Sequence, residues 1–184
     1  MAYEQAAGVA KGVLANVKPD QLDAPTPCAS WKVRDLINHL VGGSYFFAAA
    51  MNGEAPPGDG SEPDFASGDF KAAYEEGSKQ AIAAFAAQGA MERTVHAPFG
   101  EFPGAAWMGL AATDTFTHAW DLAKSIGQST DLAPELAEQL LAGARQAISD
   151  AVRGDEPMPF AAAKDCPDGA TQADRLAAFL GRAV

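Results

Sequence analysis

The chain carries only three histidines, and two of them sit among residues that suit chemistry. In the run ATDTFTHAWDLAKSIG, Asp114 precedes His118 by four residues and Asp121 follows it by three. On a helix those spacings put all three side chains on one face. A carboxylate and an imidazole one turn apart can chelate a divalent ion, and a second carboxylate can orient the ring through its other nitrogen. The plainer alternative is an ordinary helix with a charge-stabilised histidine. His39, in VRDLINHLVGG, shares its helix side with Leu36, Leu40 and Gly43. It therefore points toward a helical interior, either as a satisfied core residue or as a ligand. Combined, His39, Asp114 and His118 form an open three-ligand set, with Asp121 as the carboxylate behind the ring. Three protein ligands leave a position for water or substrate, which is the catalytic rather than the structural arrangement.

Other reactive residues have weaker settings. Cys28 lies in a Pro-rich connection, as a catalytic thiol, a soft ligand or simply a buried cysteine, with only Lys32 and Arg34 as nearby cations in sequence. Cys166, in KDCPDG, reads as a loop thiol. Trp120 is expected in the core, whereas Trp31 is open between core and pocket wall. Asp35, four residues before His39, either holds that ring or supplies first-turn charge to its helix. His96 reads as an exposed loop residue. The acidic stretch holding Glu54, Asp59, Glu62 and Asp64 is either a lid or a solvated surface loop. No GxGxxG, Walker A, HExxH or GxSxG motif is present, so nucleotide, zincin and serine-hydrolase chemistry have no sequence support.

The elements that must position these residues are helical. Apolar residues at Val9, Val13, Leu14 and Val17 predict a first helix over 2–17. A second is expected over 32–51 with Ser30 as its N-cap, and a third over 69–88. The fourth, 105–126, ends at Gly127, a natural left-handed stop. A fifth begins at Pro134 and extends to Val152, and a short closing helix covers 171–180. Residues 92–96 are too few to decide for a strand, and no strong alternating run appears elsewhere. The expected fold class is all-α: a four-helix bundle with a long connection and a short C-terminal extension, in a single domain over 1–184.

The 184 residues and their composition bound the function. Thirteen basic residues against 24 acidic ones give a net charge of −11. That disfavours binding to nucleic acid or to anionic membrane surfaces, and is also what keeps a small protein soluble. No apolar run is long enough to span a bilayer, and the N-terminus has no signal-peptide core. The expectation is a soluble, cytoplasmic protein with reduced cysteines.

The segments PTPCASWKVRDLINHLVGG and DTFTHAWDLAKSIGQ, and the closing DRLAAFLGR, resemble the signatures of the mycothiol-dependent maleylpyruvate isomerase type of DinB-like proteins. The chain is most similar to an actinobacterial metal-binding branch of that group. The resemblance implies a DinB-like four-helix bundle holding zinc or nickel through His39, Asp114 and His118. Asp114 stands where the isomerase has Glu, one methylene longer. It further implies a transferase or isomerase that couples a low-molecular-weight thiol, such as mycothiol, to a small electrophilic substrate. A homodimer is compatible with the group. The alternative is a non-catalytic metal- or ligand-binding protein on the same scaffold.

Overall fold

The computed structural model describes residues 1–55, 63–149, 152–154 and 160–184. The chain is mostly helical, with a small two-stranded sheet. Helix α1 (Ala2–Ala15) buries Tyr3, Ala6, Ala7, Ala10, Val13 and Leu14, a three-four alternation that marks one apolar stripe. Helix α2 (Val33–Asn52) buries Val33, Leu36, Ile37, Leu40, Val41, Phe47 and Met51 by the same spacing. Helix α3 (Phe70–Ala86) starts at Asp69, whose side chain accepts the Ala72 N–H at 3.0 Å. Strands β1 (Thr94–Ala97) and β2 (Gly100–Pro103) pair antiparallel, and helix α4 (Gly104–Ser125) follows directly. Helices α5 (Pro134–Ala147) and α6 (Gln172–Phe179) complete the described elements.

The main packing pairs are α1 with α4 and α2 with α3; α2 also lies on α4, and α5 on α6. Helix α4 is central. From Thr115 to Ala123 every residue is buried, so its polar groups need internal partners. Thr113 and Thr117 meet that need by donating to carbonyls one turn back, at Gly109 and Thr113. Small residues let the helices approach. At Gly77 on α3, a Cβ would collide with the Ser44 hydroxyl of α2.

The sequence boundaries shift in places. Helix α1 ends at Ala15, and α5 ends at Ala147; residues 150 and 151, within the expected fifth helix, lie outside the described residues. Ser30 is not the cap of α2. Lys32 holds that position, and its N–H donates to the Asp35 carboxylate at 2.7 Å, so Asp35 serves the helix start. The hairpin resolves the stretch around residues 92–96 that the sequence leaves undecided, within a fold that is otherwise helical. Thr94 and His96 are exposed while Val95 is buried, the period-two signature of a strand, but four residues are too short a run to establish it in sequence. His96 is exposed as expected, and pairs with Glu101 across the hairpin at 3.0 Å. Of the acidic stretch, Glu54 and Asp64 are exposed, while Asp59 and Glu62 lie outside the described residues.

Two close contacts fix this frame. Gly104 donates to the Arg93 carbonyl at 2.7 Å, and a Cβ there would strike the Ala90 carbonyl. Gly104→Ala is expected to lower stability by about 1–3 kcal/mol, the usual cost of overpacking, seen as a lower urea midpoint with an unchanged slope. Asp174 ties α6 to α4, accepting the Trp120 indole N–H at 2.9 Å and completing a capping box with Thr171. Burial alone would raise its pKa, but bonds from Trp120, Thr171 and Thr130 outweigh that and hold it below the ordinary carboxylate value. The stabilisation is therefore present above about pH 4 and disappears as pH falls through the depressed native value. Asp174→Ala should cost about 1–2 kcal/mol at neutral pH, and the gap from wild type should narrow in denaturation measured below pH 4.

Candidate metal centre

Helices α2 and α4 carry His39, Asp114 and His118 to one point. The His39 Nε2 lies 3.3 Å and 3.4 Å from the two Asp114 oxygens, and the His118 Nε2 lies 3.6 Å from Asp114 Oδ1. The two imidazole rings are 4.4 Å apart, centre to centre. The three donor atoms all fall within 4.8 Å of one another. Side-chain exposures of 34% for His39, 27% for Asp114 and 11% for His118 leave the set reachable from solvent.

The two His39–Asp114 contacts are long hydrogen bonds, against about 2.7–2.9 Å for a short charge-assisted one. The His39–Asp114 separations are also those of neighbouring ligands around a tetrahedral ion, where bonds of about 2.0–2.1 Å put donors roughly 3.3–3.4 Å apart, and the His118–Asp114 separation of 3.6 Å is a little longer. Two imidazole nitrogens with one carboxylate oxygen also form a common donor set for zinc and other borderline divalent ions. The residues present fit such an ion. Asp114 reaches both rings despite its short side chain, so the missing methylene relative to Glu does not break the constellation.

Charge within the set is mutually supporting. Burial disfavours the charged form of His39, but hydrogen bonding to Asp114 and its negative charge outweigh that and raise the His39 pKa above the ordinary histidine value. Burial likewise works against ionised Asp114. The neighbouring His118 and His39 prevail and hold its pKa below the ordinary carboxylate value.

Behind His118 lies a second layer of contacts. Its Nδ1 is 3.1 Å from Asp121 Oδ2, and Asp121 is fully buried. Asp121 thus occupies the ring-orienting place that its spacing suggests. Arg182, from the chain's last residues, donates to the same carboxylate through Nη2 at 3.0 Å and Nε at 3.3 Å. Burial opposes ionisation of Asp121, and the His118 hydrogen bond and the Arg182 charge reverse that, keeping its pKa low. Cys28 also joins this layer, donating to Asp121 Oδ2 across 3.3 Å. Burial and the Asp121 charge push its thiol up to about 12, with Arg182 only partly offsetting them.

Cys28, His118 and Asp121 are also close enough to be considered as ligands. Their geometry differs from that of the first set. Asp121 already accepts from His118, Arg182 and Cys28, and the guanidinium would repel a cation there. The first set is open; this one is closed by hydrogen bonds.

The loop before α2 places Cys28 and Trp31. The Thr26 hydroxyl accepts the Cys28 N–H at 3.1 Å and donates to the Trp31 carbonyl at 2.8 Å. The loop is pinned to its own helix by bonds from Val33 to Ala24 and from Arg34 to Leu22. The Trp31 ring lies 4.9 Å from that of His39 and 5.5 Å from that of His118, so it walls the site. Trp120 is a core residue, 1% exposed. Cys166 is half-buried, and both cysteines are free thiols.

Sequence spacing brought His39, Asp114, His118 and Asp121 forward as candidates, and the structure gathers them. It did not bring forward Arg182. The only sequence signal for this residue was the closing DRLAAFLGR, which carries no local chemistry. The cation next to Cys28 is Arg182, 154 positions away, and not Lys32 or Arg34.

Known proteins place this arrangement in context. No solved structure matches the chain significantly. Two uncharacterized proteins, from two strains of Mycobacterium tuberculosis, are each 45% identical to it over 185 residues, covering 100% of this chain and 97% of theirs. Residues 3–123 match the mycothiol maleylpyruvate isomerase N-terminal domain. The matched span runs from the first turn of α1 past His118 and Asp121 on α4, and the chain belongs to the mycothiol maleylpyruvate isomerase N-terminal domain family.

Proposed function

We propose that the protein holds one divalent ion, zinc or nickel, through His39, Asp114 and His118, and uses it to transfer a low-molecular-weight thiol to a small electrophile. The observation that carries this reading is the convergence of donor atoms from His39, Asp114 and His118, on two helices, to within 4.8 Å of one another at a point reachable from solvent. Family membership supports mycothiol as the thiol, and the substrate would undergo addition or isomerisation. On this reading the helices form a DinB-like four-helix bundle in one domain over 1–184, working in the cytoplasm. A homodimer is compatible with the family.

An ion held by His39, Asp114 and His118 would supply Lewis acidity, which would favour the thiolate form of a thiol substrate. The chain's own residues do the rest. His39 and His118 present imidazole nitrogens from facing helices, and Asp114 adds the negative charge that offsets the ion's. Asp121 accepts from His118 Nδ1 and fixes that ring. Trp31 shields the two imidazoles on one side and provides an apolar wall for a substrate. Cys28 donates to the Asp121 carboxylate, a contact that favours its thiol form and ties the loop to the site.

Elemental analysis and zinc titration calorimetry test the ligand set. Wild type should bind close to one equivalent, whereas His39→Ala, His118→Ala and Asp114→Ala should each lose most of the affinity. Full affinity in Asp114→Ala would refute the set. Binding should weaken on acidification, because ligating imidazoles must be unprotonated. Zinc at a hundredfold excess over its dissociation constant should stabilise the fold by about 2.7 kcal/mol, read as a raised Tm that a chelator reverses. With zinc bound, consumption of mycothiol by a model electrophile supports the transferase reading. Tight binding with no thiol consumption leaves a non-catalytic metal-binding protein.

A further inference from the structure

We infer that Arg182, delivered by the turn that ends α6, is a positioning residue that sets the orientation and tautomer of His118. The inference rests on the reading of His118 as an ion ligand. The residue lies beyond the 3–123 span shared with the family model, in the last three residues of the chain.

The turn is built to aim it. Gly181 has φ +92°, a conformation that a side chain would strain, and a Cβ there would crowd the Ala161 Cβ at 2.6 Å. The Gly181 N–H bonds to the Ala178 carbonyl and the Arg182 N–H to the Ala177 carbonyl, both at 3.0 Å. This is the paired-bond helix stop that fixes the direction of the next residue. Arg182 Nη1 then donates to the Leu180 carbonyl at 3.0 Å, and Lys124 on α4 donates to the Ala183 carbonyl at 2.8 Å. Both ends of the guanidinium's path are therefore held.

The guanidinium meets Asp121 as a fork, Nε to Oδ1 and Nη2 to Oδ2. Two parallel bonds fix the rotation of a carboxylate in a way that one cannot. Asp121 Oδ2 is consequently locked 3.1 Å from His118 Nδ1. Carboxylates face both ring nitrogens, and an ionised carboxylate only accepts. Nδ1 is 3.1 Å from Asp121, whereas Nε2 is 3.6 Å from Asp114, beyond hydrogen-bond reach. The closer, fork-held carboxylate therefore keeps the proton of a neutral His118 on Nδ1 and leaves the Nε2 lone pair toward the open site. Lys at position 182 would supply charge without the fork, and Gln would supply neither the charge nor the same reach.

The test uses the full chain, metal-free, with ¹⁵N-labelled histidine, in long-range proton–nitrogen NMR at about pH 8.5, above the ordinary imidazole range. Wild-type His118 is expected as a single Nδ1–H tautomer. Arg182→Gln should give an averaged mixture of both tautomers while retaining the wild-type circular dichroism spectrum, and Arg182→Lys a smaller change in the same direction. Zinc affinity should fall by roughly 10–100-fold in Arg182→Gln, the usual effect of loosening a ligand's outer partner, and by less in Arg182→Lys. Should Arg182→Gln fail to fold, the Lys variant alone carries the comparison. An unchanged His118 tautomer in every folded variant overturns the inference. A tautomer that responds in a chain with no affinity for zinc supports the positioning role and removes the metal reading.

Discussion

The site depends on one buried ion pair, between Asp121 and Arg182. Asp121 has no exposed surface, and an isolated carboxylate in that position would be strongly disfavoured. The structure answers by drawing donors from three parts of the chain: His118 from the same helix, Cys28 from the loop before α2, and Arg182 from the C-terminus. Removing one partner of such a pair typically costs more than the pair contributes, because the remaining charge stays buried. The need to satisfy a single carboxylate thus makes the tail, the loop and α4 interdependent.

That constraint also divides the polar centre into two layers. The inner layer, around Asp121, is closed, with its acceptors occupied and a fixed positive charge alongside. The outer layer, around Asp114, is open to solvent, with two imidazoles facing one carboxylate. His118 belongs to both, with Nδ1 turned to Asp121 and Nε2 to Asp114. One imidazole therefore couples the packing of the core to the chemistry at the surface. The C-terminal residues gain a role that their distance in sequence would not suggest.

Much of this was legible in local spacing. The i, i+4 and i, i+3 relations of Asp114, His118 and Asp121 are properties of any helix, so sequence alone put them on one face. The stop at Gly127, with φ +71°, and the start of α5 at Pro134 follow from backbone preferences that need no tertiary partner. The hairpin was less accessible. Its four-residue strands acquire their pattern only because Val95 packs into the core beside helices distant in sequence. The cap of α2 was misplaced for a related reason. Bonds from Val33 to Ala24 and from Arg34 to Leu22 hold the preceding loop as an extended bridge that delays the helix past Ser30.

By itself, the sequence determined which residues could act: a charge balance unfavourable to polyanions, helices with defined apolar stripes, and a helix face bearing two carboxylates around a histidine. Those properties follow from composition and from a 3.6-residue repeat, both local. The tertiary structure decided what those residues meet. It set the distance from His39 to Asp114 across two helices, placed Trp31 over both imidazoles, and delivered Arg182 to Asp121 and Cys28. The His39–Asp114 contact and the two Arg182 contacts join positions 61 to 154 residues apart, where spacing along the chain carries no information about direction or distance. For Arg182 the physical reason is the buried Asp121 carboxylate, a charge that needs a partner wherever in the chain that partner lies.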